Sequence, residues 1–195
     1  MRSPLRKLAL LAAAALATVA LGACGESHTK VTTGTYAGES GASAPYLNVG
    51  PLIYQVQLSR ELNPTNSEDS GYFEGVPYVE GRLLPGQEWF GVFMQVYNNT
   101  EHAHAASQSI TISDTEGNVY HPLSVLGTNH YIYRGGVVPP KSVLPPPDTT
   151  AAFGPTQGQL LLFKIKTVSL DNRPLEIKIK EPEGLLASVS AELDV

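Results

Sequence analysis

Two histidines, His102 and His104, have the spacing that most closely fits a site for chemistry. In an extended chain, side chains two positions apart point to the same side, so both imidazoles would face one ligand. Imidazole nitrogens bind zinc and copper, and a third ligand would come from His28, His121 or His130. A histidine pair in a polar loop is also typical of a solvated surface. The spacing therefore leaves open a metal site and an exposed loop.

A second group of candidate residues follows closely along the chain, where aromatic side chains flank a turn. Tyrosine rings can stack on a sugar or a peptide, although aromatic residues in such places also pack in the core or at its rim. Together with the histidine pair they form the binding surface that the sequence predicts, beside a long polar insertion beginning at Asn63. This surface consists of His102, His104, His130, Tyr131, Tyr133 and Arg134.

Motifs for catalysis are missing from the sequence. Asp114–Asn118 superficially resembles the start of a calcium loop, but its twelfth position holds Val125 instead of the required glutamate. A tight hairpin, in which Gly117 or Asn118 takes a positive φ, explains the segment better. No serine lies in a Gly-x-Ser-x-Gly elbow, and the carboxylates are scattered. We therefore expect no enzyme activity, no catalytic residue, no metal and no cofactor.

The chain's single cysteine, Cys24, follows a segment that has the parts of a secretory signal peptide. Three basic residues precede an apolar run of Ala and Leu over residues 8–20. That run is too short for a spanning helix, which needs roughly 20 residues. The sequence Leu21-Gly22-Ala23-Cys24 resembles the lipobox of bacterial lipoproteins. Taken alone, the residues also allow a buried thiol or an ordinary signal peptide with a later cut.

The lipoprotein resemblance implies that the chain is cut before Cys24 and that a diacylglycerol is attached to the thiol. The protein would then be anchored to the cell membrane on its extracytoplasmic face. Each buried lipid methylene contributes about 0.8 kcal/mol, so two or three acyl chains give stable attachment. The absence of a second cysteine excludes a disulfide within the chain, and the position at the end of the apolar run favours lipidation.

The charge balance limits the partners of the protein. The formal net charge is −5, and removal of residues 1–23 takes away three basic residues, leaving the mature part more acidic. An acidic domain is a poor binder of nucleic acid, which favours a basic face. The membrane, through the lipid anchor, is the first expected partner. An envelope protein or a peptidoglycan sugar is the second.

The composition divides the chain into four segments. Residues 1–23 are the signal peptide, and 24–48, rich in Gly, Ser, Thr and Ala, are predicted to be a lipid-anchored flexible linker. Residues 49–182 form the predicted β-sandwich. The segment 183–195 is predicted to be a C-terminal tail that forms a short helix or pairs at a sheet edge.

Alternating apolar and polar residues predict the strands of the sandwich. Residues 89–97 carry large apolar side chains on both sides, which indicates a central strand. Residues 52–59, 159–168 and 175–180 alternate with one apolar face. Residues 109–113 and 119–120 are predicted to be the two strands that flank the Asp114 hairpin. Prolines exclude the connection around 139–147 from the middle of a sheet. Short strands separated by turn signals predict an all-β, antiparallel sandwich.

Three segments resemble the telokin-like, immunoglobulin-type domains of exported bacterial lipoproteins. They are the strand closing on Asn98-Asn99, the Asp-x-x-Gly hairpin at Asp114, and the Gly-x-Leu-x-Phe-like strand from Gly158. The resemblance implies an immunoglobulin-like fold, and little about function because such folds host many roles. We therefore predict a membrane-anchored, non-catalytic binding or interaction module of the cell envelope. The alternative is an extracytoplasmic copper or zinc protein that uses the loop histidines.

Overall fold

The structure, a computed structural model, describes residues 28–31, 46–127, 129–154, 156–182 and 187–193. These ranges contain twelve strands, a short helix α1 (Thr150–Phe153) and two 3₁₀ turns, Ser70–Phe73 and Thr167–Leu170. None of the helices in these ranges has the length and apolar character needed to cross a bilayer. The predicted signal peptide and Cys24 lie outside the described residues.

The twelve strands form two five-stranded sheets and one small ribbon. In chain order they are β1 (His28–Val31), β2 (Tyr46–Val49), β3 (Leu52–Leu62), β4 (Gln87–Asn98), β5 (His104–Ala106), β6 (Ile110–Ser113), β7 (Val119–Tyr120), β8 (Gly136–Val138), β9 (Ser142–Leu144), β10 (Gln159–Lys166), β11 (Leu175–Lys180) and β12 (Ser188–Leu193). Sheet I has the order β1-β12-β11-β6-β7. Sheet II has the order β2-β3-β4-β10, with β9 also pairing β4, and β5 pairs β8 in the ribbon.

The pairing is antiparallel throughout these sheets except between β1 and β12, which run parallel. The prediction of an all-β sandwich is therefore confirmed. The parallel pair at one edge of sheet I is a difference from the wholly antiparallel arrangement that we predicted.

The main core lies between the two sheets. In β11 the apolar residues Leu175, Ile177 and Ile179 are fully buried, while Glu176 and Lys178 between them are only half-buried. This alternation places one face of sheet I toward the core. From sheet II, Phe90, Val92, Met94 and Val96 of β4 join the same cluster, together with Tyr54, Leu161 and Phe163.

The opposite face of β4 packs in a second, smaller core. Trp89 and Phe93 lie there, and the polar insertion covers them with two aromatic residues. The ring centroids of Tyr72 and Phe93 are 5.1 Å apart, and those of Phe73 and Trp89 are 5.2 Å apart. Burying each such side chain contributes about 1.5–3 kcal/mol. The prediction that residues 89–97 form a central strand is confirmed, and residues 89–94 are buried on both sides.

An ion pair fixes the insertion to the sheet. The Arg60 guanidinium donates to both carboxylate oxygens of Asp69, at 2.5 and 3.1 Å, and the backbone N–H of Asn63 donates to the same carboxylate at 2.9 Å. Burial opposes the charge of Asp69, but the hydrogen bond from Arg60 and the bond from Asn63 outweigh it and lower the pKa of the carboxyl. Tyr78 and Val79, further along the insertion, are exposed and do not pack against the sheet.

Two of the predicted segment boundaries are corrected by the sheet pairing. Strands β1 and β2 begin inside the segment predicted to be a flexible linker, residues 24–48. Strand β12 lies inside the segment predicted to be a tail, residues 183–195, and pairs with both β1 and β11. Its apolar residues Val189, Ala191 and Leu193 alternate and are buried, but Ala191 is small and the strand has only three apolar positions, so the sequence signal is weak.

Candidate functional site

The predicted histidine site does not assemble in the structure. His102 is exposed in the loop before β5, and Nε2 of His104 lies 2.8 Å from the Thr100 hydroxyl. His130 is exposed in a different connection, between β7 and β8. Within the described ranges, no three His, Cys, Asp or Glu side chains are placed to hold a metal ion. The described residues therefore give the alternative prediction, a copper or zinc protein, no ligand set.

Tyr133 is buried, so predicting it as part of a binding surface was wrong. Its side chain belongs to the main core, and its hydroxyl donates to the Ser107 carbonyl at 2.7 Å. The Tyr54 hydroxyl accepts from the Ser107 N–H at 2.7 Å. Burial, and then the neighbouring Tyr54, raise the pKa of Tyr133 far above that of a free tyrosine. This tyrosine pair anchors the segment after β5.

Arg134 and Tyr131 are also occupied by structural contacts. The Arg134 guanidinium donates to the carbonyls of Val125 and Gly127, at 2.8 and 3.0 Å. The Tyr131 ring packs edge-on against Tyr72, with centroids 5.0 Å apart. A cavity of about 410 Å³ opens beside Arg134. Two of its hydrogen bonds are made to backbone carbonyls. The main role of Arg134 is therefore to fix the conformation of the loop that contains Val125 and Gly127.

The motifs that carried the family resemblance have structural roles. Asn98 is fully buried, and its amide nitrogen donates to the carbonyls of His102, Val138 and Pro139 at 2.8–3.0 Å. Its amide oxygen accepts from the Thr100 N–H and hydroxyl. The side chain thus joins the end of β4 to the loop before β5 and to the end of β8.

The Asp114 hairpin between β6 and β7 is confirmed, with Gly117 at φ +84°. The Asp114 carboxylate accepts from Ser169 at 2.7 Å and from the side chain and N–H of Asn118 at 2.7 and 2.9 Å. Burial opposes its charge, but these hydrogen bonds and one from the Glu116 N–H outweigh it and lower the pKa of the carboxyl. The carboxylate therefore fixes the hairpin and shows no arrangement for calcium.

The structure reveals a candidate surface that our sequence reasoning did not identify. It lies on the outer face of sheet II, where the insertion does not cover β2, β3 and β4. We name it the tyrosine–glutamine face, and its members are Tyr46, Ile53, Gln55, Gln57, Gln95 and Tyr97. In the strand register Tyr46 pairs with Gln55, Gln55 with Gln95, and Ile53 with Tyr97. All six side chains are uncharged at neutral pH.

A β-bulge and a network of hydrogen bonds organise this face. The register of β3 against β4 shifts between Val56 and Leu58, so Gln57 is the extra residue. Its amide nitrogen donates to the amide oxygens of Gln55 at 2.8 Å and Gln95 at 3.3 Å. The Tyr97 hydroxyl lies within hydrogen-bonding distance of the same two oxygens. These hydrogen bonds therefore fix the orientation of the three glutamine amides in the unbound protein.

Only part of this signal was visible in the sequence. The period-two pattern marks Gln55 and Gln57 as a polar side of the first long strand, and Gln95 and Tyr97 as the corresponding side of the central strand. Which strands pair, and in which register, depends on contacts between residues about 40 positions apart. The bulge at Gln57 gives no sequence signal that we could identify.

Comparisons with known proteins supply no family for this chain. No family model matches it, and no curated protein matches it in sequence. A solved structure that is similar is a provisionally assigned lipoprotein, ycdA, of Bacillus subtilis, 8% identical, with a TM-score of 0.45. The match covers 76% of this chain and 38% of that protein, so the chain spans well under half of its length.

Two further solved structures are similar at about the same level. The yjhA protein of Bacillus subtilis has a TM-score of 0.44 and 8% identity, over 77% of this chain and 96% of that one. An uncharacterized β-sandwich protein of Clostridium difficile has a TM-score of 0.44 and 7% identity, over 87% of this chain and 98% of that one. These similarities assign no activity and no ligand to the chain.

Proposed function

We propose that this protein is a lipid-anchored, extracytoplasmic binding module of the cell envelope and that it is not an enzyme. The observation that carries the binding role is the tyrosine–glutamine face. It is a pre-ordered, uncharged set of side chains on a sheet whose neighbouring outer surface is covered by the insertion. Tyr46 is 58% exposed, and Gln95 and Tyr97 are half-buried, so these three side chains remain accessible beside the insertion.

The non-catalytic part of the proposal is supported by the contacts of the buried carboxylates. Asp69 binds Arg60 and the insertion, and Asp114 binds Ser169 and the β6–β7 hairpin. A general acid or base has to reach a substrate, and both groups are instead used inside the protein. Burial, and then the nearby Glu61, raise the pKa of Glu88. Its buried Oε1 has no hydrogen-bond partner among the described residues, so no nucleophile is bonded to that oxygen.

The anchoring part of the proposal is supported by the lipobox at Cys24 and by the position of β1. Four residue steps separate Cys24 from His28, the first residue of β1. Such a segment reaches at most about 14 Å, whatever its conformation. The lipid would therefore hold the edge of sheet I that begins at His28 close to the bilayer. The connection to the lipid would be much shorter than the predicted linker, residues 24–48.

Metabolic labelling with palmitate tests the anchor. We expect label in the wild-type protein and none after Cys24→Ser, together with loss of the protein from the membrane fraction. The substitution Ser27→Ala, three positions after the cysteine, serves as the matched control and is expected to leave labelling unchanged. Equal labelling of wild type and Cys24→Ser, or no label in either, would refute the anchor.

A further inference from the structure

The tyrosine–glutamine face has the composition of a surface for hydroxyl groups. Its centre holds the three glutamine amides, and Tyr46 lies at its margin, 58% exposed, with its ring edge-on to Tyr97 at 6.2 Å. A hydroxyl both donates and accepts a hydrogen bond, and so does a primary amide. A flat aromatic ring adds a hydrophobic contact for a ring-shaped ligand.

Some side chains of the tyrosine–glutamine face support the hydrogen-bond network, and others are accessible to a ligand. Gln55 and Gln57 are 3% exposed, so they hold the network in place. Gln95 and Tyr97 are half-buried and remain accessible. The oxygen of Gln95 accepts from Gln57, which orients its amide nitrogen away from the network, and that nitrogen has no hydrogen-bond partner among the described residues. An oriented N–H donor beside an exposed ring is thus available to a ligand.

The lack of charge narrows the class of ligand. The chain carries 13 Lys and Arg and 18 Asp and Glu residues, yet none of them belongs to this face. Arg60, further along the outer side of β3, is bound to Asp69. Burial, and then Tyr46, raise the pKa of Tyr97, so its hydroxyl stays neutral. A face of this kind offers nothing to an acidic or basic ligand and suits a neutral one.

We propose that the tyrosine–glutamine face binds a glycan of uncharged sugar units. The Tyr46 ring packs against a sugar ring, and the Gln95 amide and Tyr97 hydroxyl bind its hydroxyls. A protein partner fits less well, because a stable interface buries about 800 Å² on each side around an apolar or aromatic centre. Here the centre is made of amides. This inference rests on the proposed function, since it names the ligand class of that binding module.

Calorimetric titration of the full chain, purified in detergent from a bacterial host, tests the inference. The probes are a tetramer of N-acetylglucosamine and a tetramer of β-linked glucose. We expect saturable binding of at least one probe at sugar concentrations of about 1 mM, weakened about tenfold by Tyr46→Ala and by Gln95→Leu. Tyr78→Ala removes a tyrosine of the insertion that is 77% exposed and lies outside the face, and it is expected to leave binding unchanged.

Every outcome either supports or overturns the inference that this face binds a glycan. Absence of saturable binding to both sugars overturns the inference, as does binding that Tyr46→Ala and Gln95→Leu leave unchanged, or that Tyr78→Ala weakens equally. Circular dichroism checks folding. If one face variant unfolds, the other variant decides. If the protein incorporates palmitate and stays in the membrane fraction but binds neither sugar, the glycan assignment is wrong while the proposed function stands.

Discussion

Replacement of Gly158 by alanine tests how tightly β10 is fixed against the central strand. Gly158 lies at φ +107°, immediately before β10, and its N–H donates to the Ala151 carbonyl. A Cβ added there would lie 2.7 Å from the backbone nitrogen of Met94 and 3.0 Å from its carbonyl oxygen. Those atoms belong to β4, which pairs with a strand on each edge. Displacing them would therefore disturb the strand pairing and cost free energy.

The expected magnitude follows from two terms. A non-glycine residue in a sparsely populated backbone region costs about 1–3 kcal/mol. Forcing an extra carbon into a packed site costs a further 1–3 kcal/mol, roughly. We therefore expect Gly158→Ala to lower the free energy of unfolding by about 4 kcal/mol, a large share of the roughly 5–15 kcal/mol that holds a domain together.

Gly117→Ala is the matched control. Gly117 has a similarly positive φ of +84°, but a Cβ there would meet no atom within 4 Å. Only the backbone term applies, and we expect a loss of about 1 kcal/mol. Urea unfolding of both variants, followed through the fluorescence of the single tryptophan, buried Trp89, gives the comparison. Equal losses, or a loss below about 1 kcal/mol for Gly158→Ala, would refute the close-contact argument.

Three further predictions follow from the buried polar groups. Asn98→Asp should cost about 3 kcal/mol near pH 7, because a carboxylate would face three carbonyls, and the loss should shrink in acid as the new carboxyl regains a proton. The lowered pKa of Asp114 contributes stability that is present above the unfolded pKa of about 3.9 and is lost as pH falls through the folded pKa. Asp114→Asn removes this carboxyl, so the midpoint of thermal unfolding should depend less on pH in the acid range. Asp69→Asn should free the insertion from β3, and limited trypsin digestion should then cut within residues 63–84 faster.

Each of these three has a specific control or refuting result. Asn99→Asp changes an exposed neighbour and should leave stability nearly unchanged. Identical acid unfolding curves for wild type and Asp114→Asn would exclude that carboxylate as the source of the pH dependence. Glu68→Gln removes an exposed charge beside Asp69, and if it speeds digestion as much as Asp69→Asn does, the ion pair with Arg60 is not what fixes the insertion.

Much of the fold could be predicted because its signals are local. The alternation in Leu175–Lys180 and the apolar residues on both sides of residues 89–97 identify strands from neighbours along the chain. The Asp114 hairpin was predictable for the same reason, since its turn residues lie within five positions. For the last segment we predicted a short helix or pairing at a sheet edge, but β12 lies between β1 and β11. Its serines and Ala191 are small and buried, and such residues contrast little with polar ones.

The candidate site was harder to predict because it depends on distant pairing. Tyr133 and Arg134 have residue types common in binding sites, and only their hydrogen bonds to the Ser107, Val125 and Gly127 carbonyls show that they are structural. Whether a tyrosine is exposed depends on what packs over it.

By itself, the sequence determined the longer alternating strands, the central position of residues 89–97, and the lipobox prediction at Cys24, because each depends on residues adjacent in the chain. The tertiary structure alone decided which side chains share a surface. Strand register aligns Tyr46, Gln55 and Gln95 in one row, and the bulge at Gln57 completes the amide network. The physical reason is that register and burial are set by long-range packing, which brings together residues about 40–50 positions apart.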